Sequence, residues 1–234
     1  MFESVHTPSS RPQALVTGAS GGIGAAVASS LADTHDVLLG GRDTGALTQL
    51  AARLPGSRPW PVDIGSPEAV STAARGIERL DVLVHSAGVC ELGPTAGTPA
   101  AAWRLHFEIN VVAVAELTRL LLPALRAVRG HVVLINSGQG LHPGPGWGAY
   151  AASKFALRAF GDVLRAEEPM VRVTSVYPGR TATEMQRRVR AGEGEPYQPE
   201  RYLRPESVAG AVLCAVTAPD DAHLTEVVLR PDGR

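Results

Sequence analysis

One pattern repeated along the chain restricts its fold more than anything else: a short apolar run ends at a glycine or other small residue, and apolar positions at helical spacing follow. Ala14, Leu15, Val16 and Thr17 stop at Gly18, after which Ile23, Val27 and Leu31 share a helical face. Val37, Leu38 and Leu39 stop at Gly40 and Gly41, and Leu47, Leu50 and Leu54 follow until Pro55 and Gly56 end the helix. The same reading gives strands over residues 60–64, 80–85, 132–135, 171–177 and 224–229. It gives helices over 67–75, opened by Ser66 as N-cap, and over 99–128, 147–168 and 205–216. In the long helix over 99–128, Leu105, Ile109, Val112, Leu117, Leu120 and Leu121 are expected to keep one face while Pro123 perturbs the last turns. Strands apolar along their whole length suit a parallel sheet covered on both faces, with the helices as crossovers. The expectation is a single α/β domain over residues 14–234, a doubly wound parallel sheet of about seven strands, after a loose tail over residues 1–13. Ligands of such sheets bind beyond the carboxyl ends of the strands, so the residues just after each strand are the functional candidates.

Residues 180–204 break the rhythm. They hold six arginines, four glutamates, two glycines and two prolines with little periodicity, which predicts a mobile lid. Composition then removes several function classes. Apolar residues are 44% and charged residues 19% of the 234 positions, the balance of a folded globular chain. A formal net charge of -1 supplies no long-range field for a polyanion, so no nucleic-acid partner is expected. The richest apolar stretch, residues 109–125, is interrupted by Asn110, Glu116, Arg119 and Pro123, so no membrane span is expected. The start of the chain carries Glu3, His6 and Arg11 without an apolar block, unlike a secretory leader. Cys90 and Cys214 lie too far apart in sequence for a paired motif, which fits a reducing cytoplasm. The seven histidines show no ligand spacing, and no metal is expected.

The first strand end reads Thr17-Gly18-Ala19-Ser20-Gly21-Gly22-Ile23-Gly24. Its glycines permit a tight turn and let a dinucleotide phosphate approach the amides of a helix N-terminus, although glycines also serve helix–strand packing. At the second strand end, Gly41 leaves the tip uncharged and Arg42 follows. An arginine there can pair a 2'-phosphate, which favours NADP(H) over NAD(H), or it can simply be a solvated side chain. Asp43 reads equally well as an N-cap. Asp63, at the third strand end, suits an adenine amino group or a cap on the next helix. After the fourth strand, Ala87 and Gly88 are small enough for backbone to pass close to a cofactor.

Strand five ends at Asn136 and Ser137, and Tyr150 and Lys154 follow on the next helix at i and i+4, which puts the ammonium beside the phenol. A neighbouring cation favours the phenolate and draws a phenol toward the working range of an acid or base. This spacing is common on helices for structural reasons alone. Two features single it out here: a serine at a strand end that can bond a carbonyl oxygen, and the status of Lys154 as the only lysine among 22 basic residues.

On these residues the chain resembles the short-chain dehydrogenase/reductase family over nearly everything from Ala14 to Pro231. The resemblance is carried by the turn from Thr17 to Gly24, Asp63, Ala87 with Gly88, Asn110, Ser137, Tyr150, Lys154, Pro178 with Gly179, and Thr183. It implies a Rossmann-like fold and a nicotinamide cofactor contacted by Gly18, Ser20, Gly22, Ile23, Gly24, Arg42, Asp63, Ala87, Gly88, Asn110, Tyr150, Lys154, Pro178, Gly179, Thr181 and Thr183, the last at the carboxamide. It further implies Tyr150 as general acid/base, Lys154 tuning it and holding the nicotinamide ribose, Ser137 orienting the substrate oxygen, and Asn110 bending the long helix and fixing a water on a proton relay beyond Lys154. Two departures stand out. His85 and Ser86 occupy positions that are usually asparagine in the family, and Gly21 stands where many NADP-preferring relatives carry a basic residue, so Arg42 alone argues for the 2'-phosphate.

The implied reaction is hydride transfer between nicotinamide and a small carbonyl or secondary alcohol substrate. A pocket walled by residues 89–92, 138–147 and the segment after Gly179, with Leu92, Leu141 and Trp147 as its bulky members, suggests an apolar moiety. His142 either touches substrate or is an ordinary loop histidine. Glu184, Arg187, Arg188 and Arg190 either clamp a charged substrate or solvate a short lid helix. A dinucleotide-binding sensor or scaffold without catalysis is the alternative on the same fold, and nucleotide-sugar epimerases or dehydratases usually have a larger C-terminal region. The family resemblance also implies a homodimer or homotetramer.

Overall fold

A computed structural model describes residues 11–232; most of the predicted tail, residues 1–10, lies outside the described residues. Seven parallel strands, β1 Gln13–Thr17, β2 Asp36–Gly41, β3 Arg58–Pro61, β4 Val82–His85, β5 His131–Ile135, β6 Arg172–Pro178 and β7 Glu226–Leu229, form one sheet in the order β3-β2-β1-β4-β5-β6-β7. The helices are α1 Gly22–Leu31, α2 Thr44–Ala51, α3 Pro67–Ala74, α4 Ala100–Phe107, α5 Ala113–Arg126, α6 Gly148–Glu167, α7 Glu184–Gly192 and α8 Pro205–Val216. This is the Rossmann-like arrangement, with strand order reversing between β1 and β4, where a crevice opens at the carboxyl edge.

Alternate residues of each strand face opposite layers, and both layers are apolar. Val16, Leu39, Val84 and Val133 pack under α1 and α8 with Val27, Leu31, Val208 and Val212. Leu15, Leu38, Leu83 and Leu134 pack under α3, α5 and α6 with Val70, Leu117, Leu121 and Leu157. The apolar runs in the sequence have this physical cause: a strand buried on both faces has no position at which a polar side chain reaches water.

Four expectations are corrected. The domain takes in residues assigned to the tail: Gln13 opens β1, and Arg11 donates to the carbonyls of Ala32 and His35 at 2.6 and 3.3 Å. The third strand lies at Arg58–Pro61, earlier than residues 60–64. Pro59 and Pro61 are tolerated there because β3 is an edge strand that pairs only with β2. The single helix over 99–128 is two helices joined by a π-helical turn, Glu108–Val112. That turn shifts the helical phase, so Leu105 and Val112 are exposed while Leu117 and Leu121 are buried. Residues 180–204 are not aperiodic: α7 buries Gln186 and Val189. The segment is tied at both feet by Leu203 N–H to the Arg180 carbonyl at 2.9 Å and Ala182 N–H to the Leu203 carbonyl at 2.8 Å. Among the described residues, no helix is long and apolar enough to cross a membrane.

Candidate active site

Two cavities, about 760 Å³ and about 340 Å³, open beyond the strand ends, and Ile23, Asn136, Tyr150, Thr183 and Met185 border both. The larger runs past the β1 turn, Arg42, Asp63, Ala87 and Gly88 to Lys154. The smaller lies on the other side of Tyr150, with Ser137, Trp147, Pro178, Gly179 and Thr181 in its wall.

Tyr150 and Lys154 come one turn apart on α6, both buried. Lys154 Nζ donates to the Ile135 carbonyl at 2.9 Å and stands 5.8 Å from the Tyr150 ring centroid. Ser137 lies beside the phenol in extended backbone, its hydroxyl accepting from Gln139 N–H at 3.2 Å. Asn136 ties this strand end to α6: its Oδ1 accepts from Ser137 N–H at 2.8 Å and its Nδ2 donates to the Lys154 carbonyl at 3.1 Å. Gly140 makes the approach possible, since a Cβ there would lie 3.0 Å from that carbonyl. Burial governs the ionisation of these groups. It pushes the Tyr150 phenol above its ordinary value, with the Cys90 thiol adding to the rise and the Ser137 hydroxyl opposing it. It also lowers Lys154 to about 8 and raises Cys90 to about 12. The sequence predicts a phenol drawn down by its ammonium neighbour; in the protein alone, desolvation outweighs that attraction.

Asn110 sits in the π turn, 1% exposed, and its side chain is fully engaged. Its Oδ1 accepts from Val89 N–H at 2.9 Å, and its Nδ2 donates to the Val89 carbonyl at 3.1 Å and to Ser153 Oγ at 3.0 Å. Ser153 in turn donates to the Tyr150 carbonyl at 2.7 Å. Asn110 thus clamps the segment after β4 to the helix that carries Tyr150. Behind the phenol, His106 presents its ring edge with centroids 6.2 Å apart. It is held by a bond accepted from Glu91 N–H at 3.0 Å and one donated to the Ala102 carbonyl at 2.7 Å.

The larger cavity fits a dinucleotide. α1 has Gly21 at its N-cap position, no side-chain cap and no acidic residue in its first turn, leaving amides available to a phosphate. Gly18, at φ 71°, is required by close approach as well: an added Cβ would meet the Ala87 backbone at 2.9 Å. Thr17 Oγ1 fastens the two strand ends by accepting from Ser86 and Ala87 N–H at 3.1 and 3.2 Å. Arg42 is exposed at the cavity rim with no ion pair to a described residue. Asp43 is the N-cap of α2, accepting from Ala46 N–H at 2.9 Å. Asp63 does not cap the next helix; Ser66 does, and Asp63 accepts from Gly65 N–H at 3.0 Å while lining the cavity.

Among the residues expected around the substrate, Cys90, His142 and Trp147 line the smaller cavity, whereas Leu92 and Leu141 do not. Thr183 caps α7, accepting from Gln186 N–H at 3.2 Å, and borders both cavities. Arg187 and Arg190 are occupied within the 180–204 segment, Arg187 over the Tyr197 ring at 4.3 Å and Arg190 against Glu193 at 2.6 Å. Gln139, Arg180 and Gln186 fall in the expected wall segments, whereas sequence reasoning missed Arg230. Nothing local marks Arg230, because the end of β7 brings it there from far along the chain.

A family model described as short chain dehydrogenase matches residues 12–194. The chain belongs to the short-chain dehydrogenase/reductase family of oxidoreductases. It is 33% identical over 229 residues to an uncharacterised short-chain type dehydrogenase/reductase of Sinorhizobium fredii, covering 94% of this chain and 92% of that one. It is 34% identical over 241 residues to the glycine betaine reductase of Emericella nidulans, covering 96% of this chain but only 19% of that protein. An alcohol dehydrogenase of the archaeon Thermococcus sibiricus, solved with 5-hydroxy-NADP, superposes with a TM-score of 0.88 at 27% identity, covering 96% of this chain and 98% of that one.

Proposed function

We propose that this chain transfers hydride between NADP(H) and a small carbonyl or secondary alcohol compound, with Tyr150 as general acid/base. The observation that carries this reading is that Tyr150, flanked by Ser137 and Lys154, borders both a dinucleotide-sized cavity and a smaller one. When bound, the nicotinamide supplies or accepts the hydride. The turn from Gly18 to Gly24 would hold the phosphates, Asp63 the adenine, Lys154 the nicotinamide ribose, and Gly179, Thr181 and Thr183 the carboxamide end. Arg42 would pair the 2'-phosphate, a preference supported by its open position at the rim and by the NADP analogue in the archaeal dehydrogenase.

Ser137 orients the substrate oxygen, and Tyr150 gives it a proton in reduction or removes one in oxidation. Burial raises the pKa of the phenol and so keeps that proton in place in the protein alone. Lys154, lowered to about 8, is charged through neutral pH, and a ribose would give its remaining donors acceptors. The test is turnover of a carbonyl panel with NADPH by wild type and Tyr150→Phe, alongside thermal stabilisation by the dinucleotide. The variant is expected to keep the stabilisation and lose turnover by roughly a hundredfold or more. Near-wild-type turnover would remove Tyr150 from the mechanism.

A further inference from the structure

The smaller cavity has a charge pattern that hydride transfer does not require. Arg180 and Arg230 line it, and no aspartate or glutamate does among the described residues. Arg180 is already neutralised by a two-pronged pair with Glu193 at 2.7 and 3.0 Å. Arg230 is not. Its Nη1 donates to the carbonyls of Tyr177 and Leu229 at 3.1 and 2.9 Å, and no carboxylate of a described residue pairs with it. These bonds hold the guanidinium against Gly138, the neighbour of Ser137, where an added Cβ would touch it at 3.4 to 3.5 Å. Nε and Nη2 are left without a protein acceptor. Gln186 supplies a second unused group: it is 8% exposed, lines the same cavity, and its carboxamide makes no hydrogen bond within the protein, leaving Nε2 a buried donor without an acceptor. A buried donor without an acceptor is rare in native interiors, and Gln186 Nε2 shares its cavity with the solvent-exposed Arg230 guanidinium, whose charge no described carboxylate pairs; together they suit an anionic ligand group.

We propose that Arg230 and Gln186 recognise a carboxylate on the substrate, so that the reacting compound is a small oxo acid or the corresponding hydroxy acid. The planar guanidinium fork matches a carboxylate, and a cavity of about 340 Å³ suits a small compound. This inference rests on the hydride transfer proposed above. Reduction adds a hydride to the carbonyl carbon and a proton from Tyr150 to its oxygen, and the carboxylate is unchanged throughout.

The test compares short straight-chain oxo acids with their methyl esters, using wild type, Arg230→Gln, Arg230→Lys and Gln186→Leu. Turnover with NADPH is measured for each compound, and binding to the protein with NADP+ is followed by tryptophan fluorescence, Trp147 being in the cavity wall. In wild type the acids are expected to exceed their esters in kcat/KM by about tenfold or more. That ratio should fall toward unity in Arg230→Gln, be partly kept in Arg230→Lys, and fall in Gln186→Leu. Esters reduced as well as acids by wild type would overturn the carboxylate site and leave hydride transfer standing. Acids that change the fluorescence of wild type but not of Arg230→Gln, without turnover, would uphold the carboxylate site and overturn hydride transfer. Should Arg230→Gln fail to fold, Arg230→Lys and Gln186→Leu carry the comparison, and an unaltered acid-to-ester ratio in both overturns the proposal.

Discussion

Replacing Asn110 by leucine separates a role in holding the site together from a role in moving protons. The side chain is 1% exposed and makes three hydrogen bonds, to Val89 N–H, the Val89 carbonyl and Ser153 Oγ at 2.9, 3.1 and 3.0 Å. Leucine is near enough in size that no large cavity opens, so the loss is that of the bonds. Ser153 keeps its bond to the Tyr150 carbonyl, but both backbone groups of Val89 lose their partner. An orphaned buried group costs about 1–3 kcal/mol, and Val89 is only half-buried, so the expected destabilisation is about 3 kcal/mol. In a chain of this length that lowers Tm by roughly 6–12 °C. Urea unfolding followed by circular dichroism measures the free energy directly, with Ser153→Ala, which removes the third bond together with the Ser153 bond to the Tyr150 carbonyl, expected at about 2 kcal/mol. If Asn110→Leu unfolds within about 1 kcal/mol of wild type with the same urea dependence while turnover collapses, the clamp is refuted and Asn110 belongs to a proton relay.

Arg42→Ala should weaken NADPH binding by roughly tenfold or more and leave NADH binding nearly unchanged, as read by thermal titration; equal losses would remove the 2'-phosphate contact. Gly18→Ala places a side chain at φ 71° and 2.9 Å from the Ala87 backbone, so it should cost about 2 kcal/mol or more and abolish dinucleotide stabilisation; a wild-type melting curve would contradict this. Burial lowers His85 and His131 to about 3 from the ordinary 6.5. The unfolded chain therefore binds protons below pH 6.5 that the folded chain refuses. Stability is intact above that pH and falls as pH drops toward 3, by about 1 kcal/mol per unit for each histidine. His85→Asn should make the acid slope of urea stability shallower by one proton, and parallel slopes would remove His85 from the account.

Much of the site was legible because parallel sheets put function at strand ends. Gly18, Ser20 to Gly24, Asp63, Ala87, Ser137, Tyr150 and Lys154 all follow strands or share one helix face, and the two cavities join them. Spacing alone does not give the ionisation of Tyr150. Spacing reports the neighbouring charge, whereas burial, which dominates, depends on what covers α6. The cap on α3 is taken by Ser66, as its place before Pro67 suggests, which leaves Asp63 to the cavity.

What the sequence determined by itself was local and periodic: which segments are strands buried on both faces, which helices cross between them, and which small residues let backbones approach. Apolar runs and helical spacing encode these directly, through the cost of burying an unpaired polar group. What only the tertiary structure decided was convergence over long separations. The π turn at Asn110 altered the face of the long helix, Asn136 coupled Ser137 to Lys154, and the end of β7 delivered Arg230 to the wall beside Gly138. Such meetings depend on which strands become neighbours, and no local pattern carries that order.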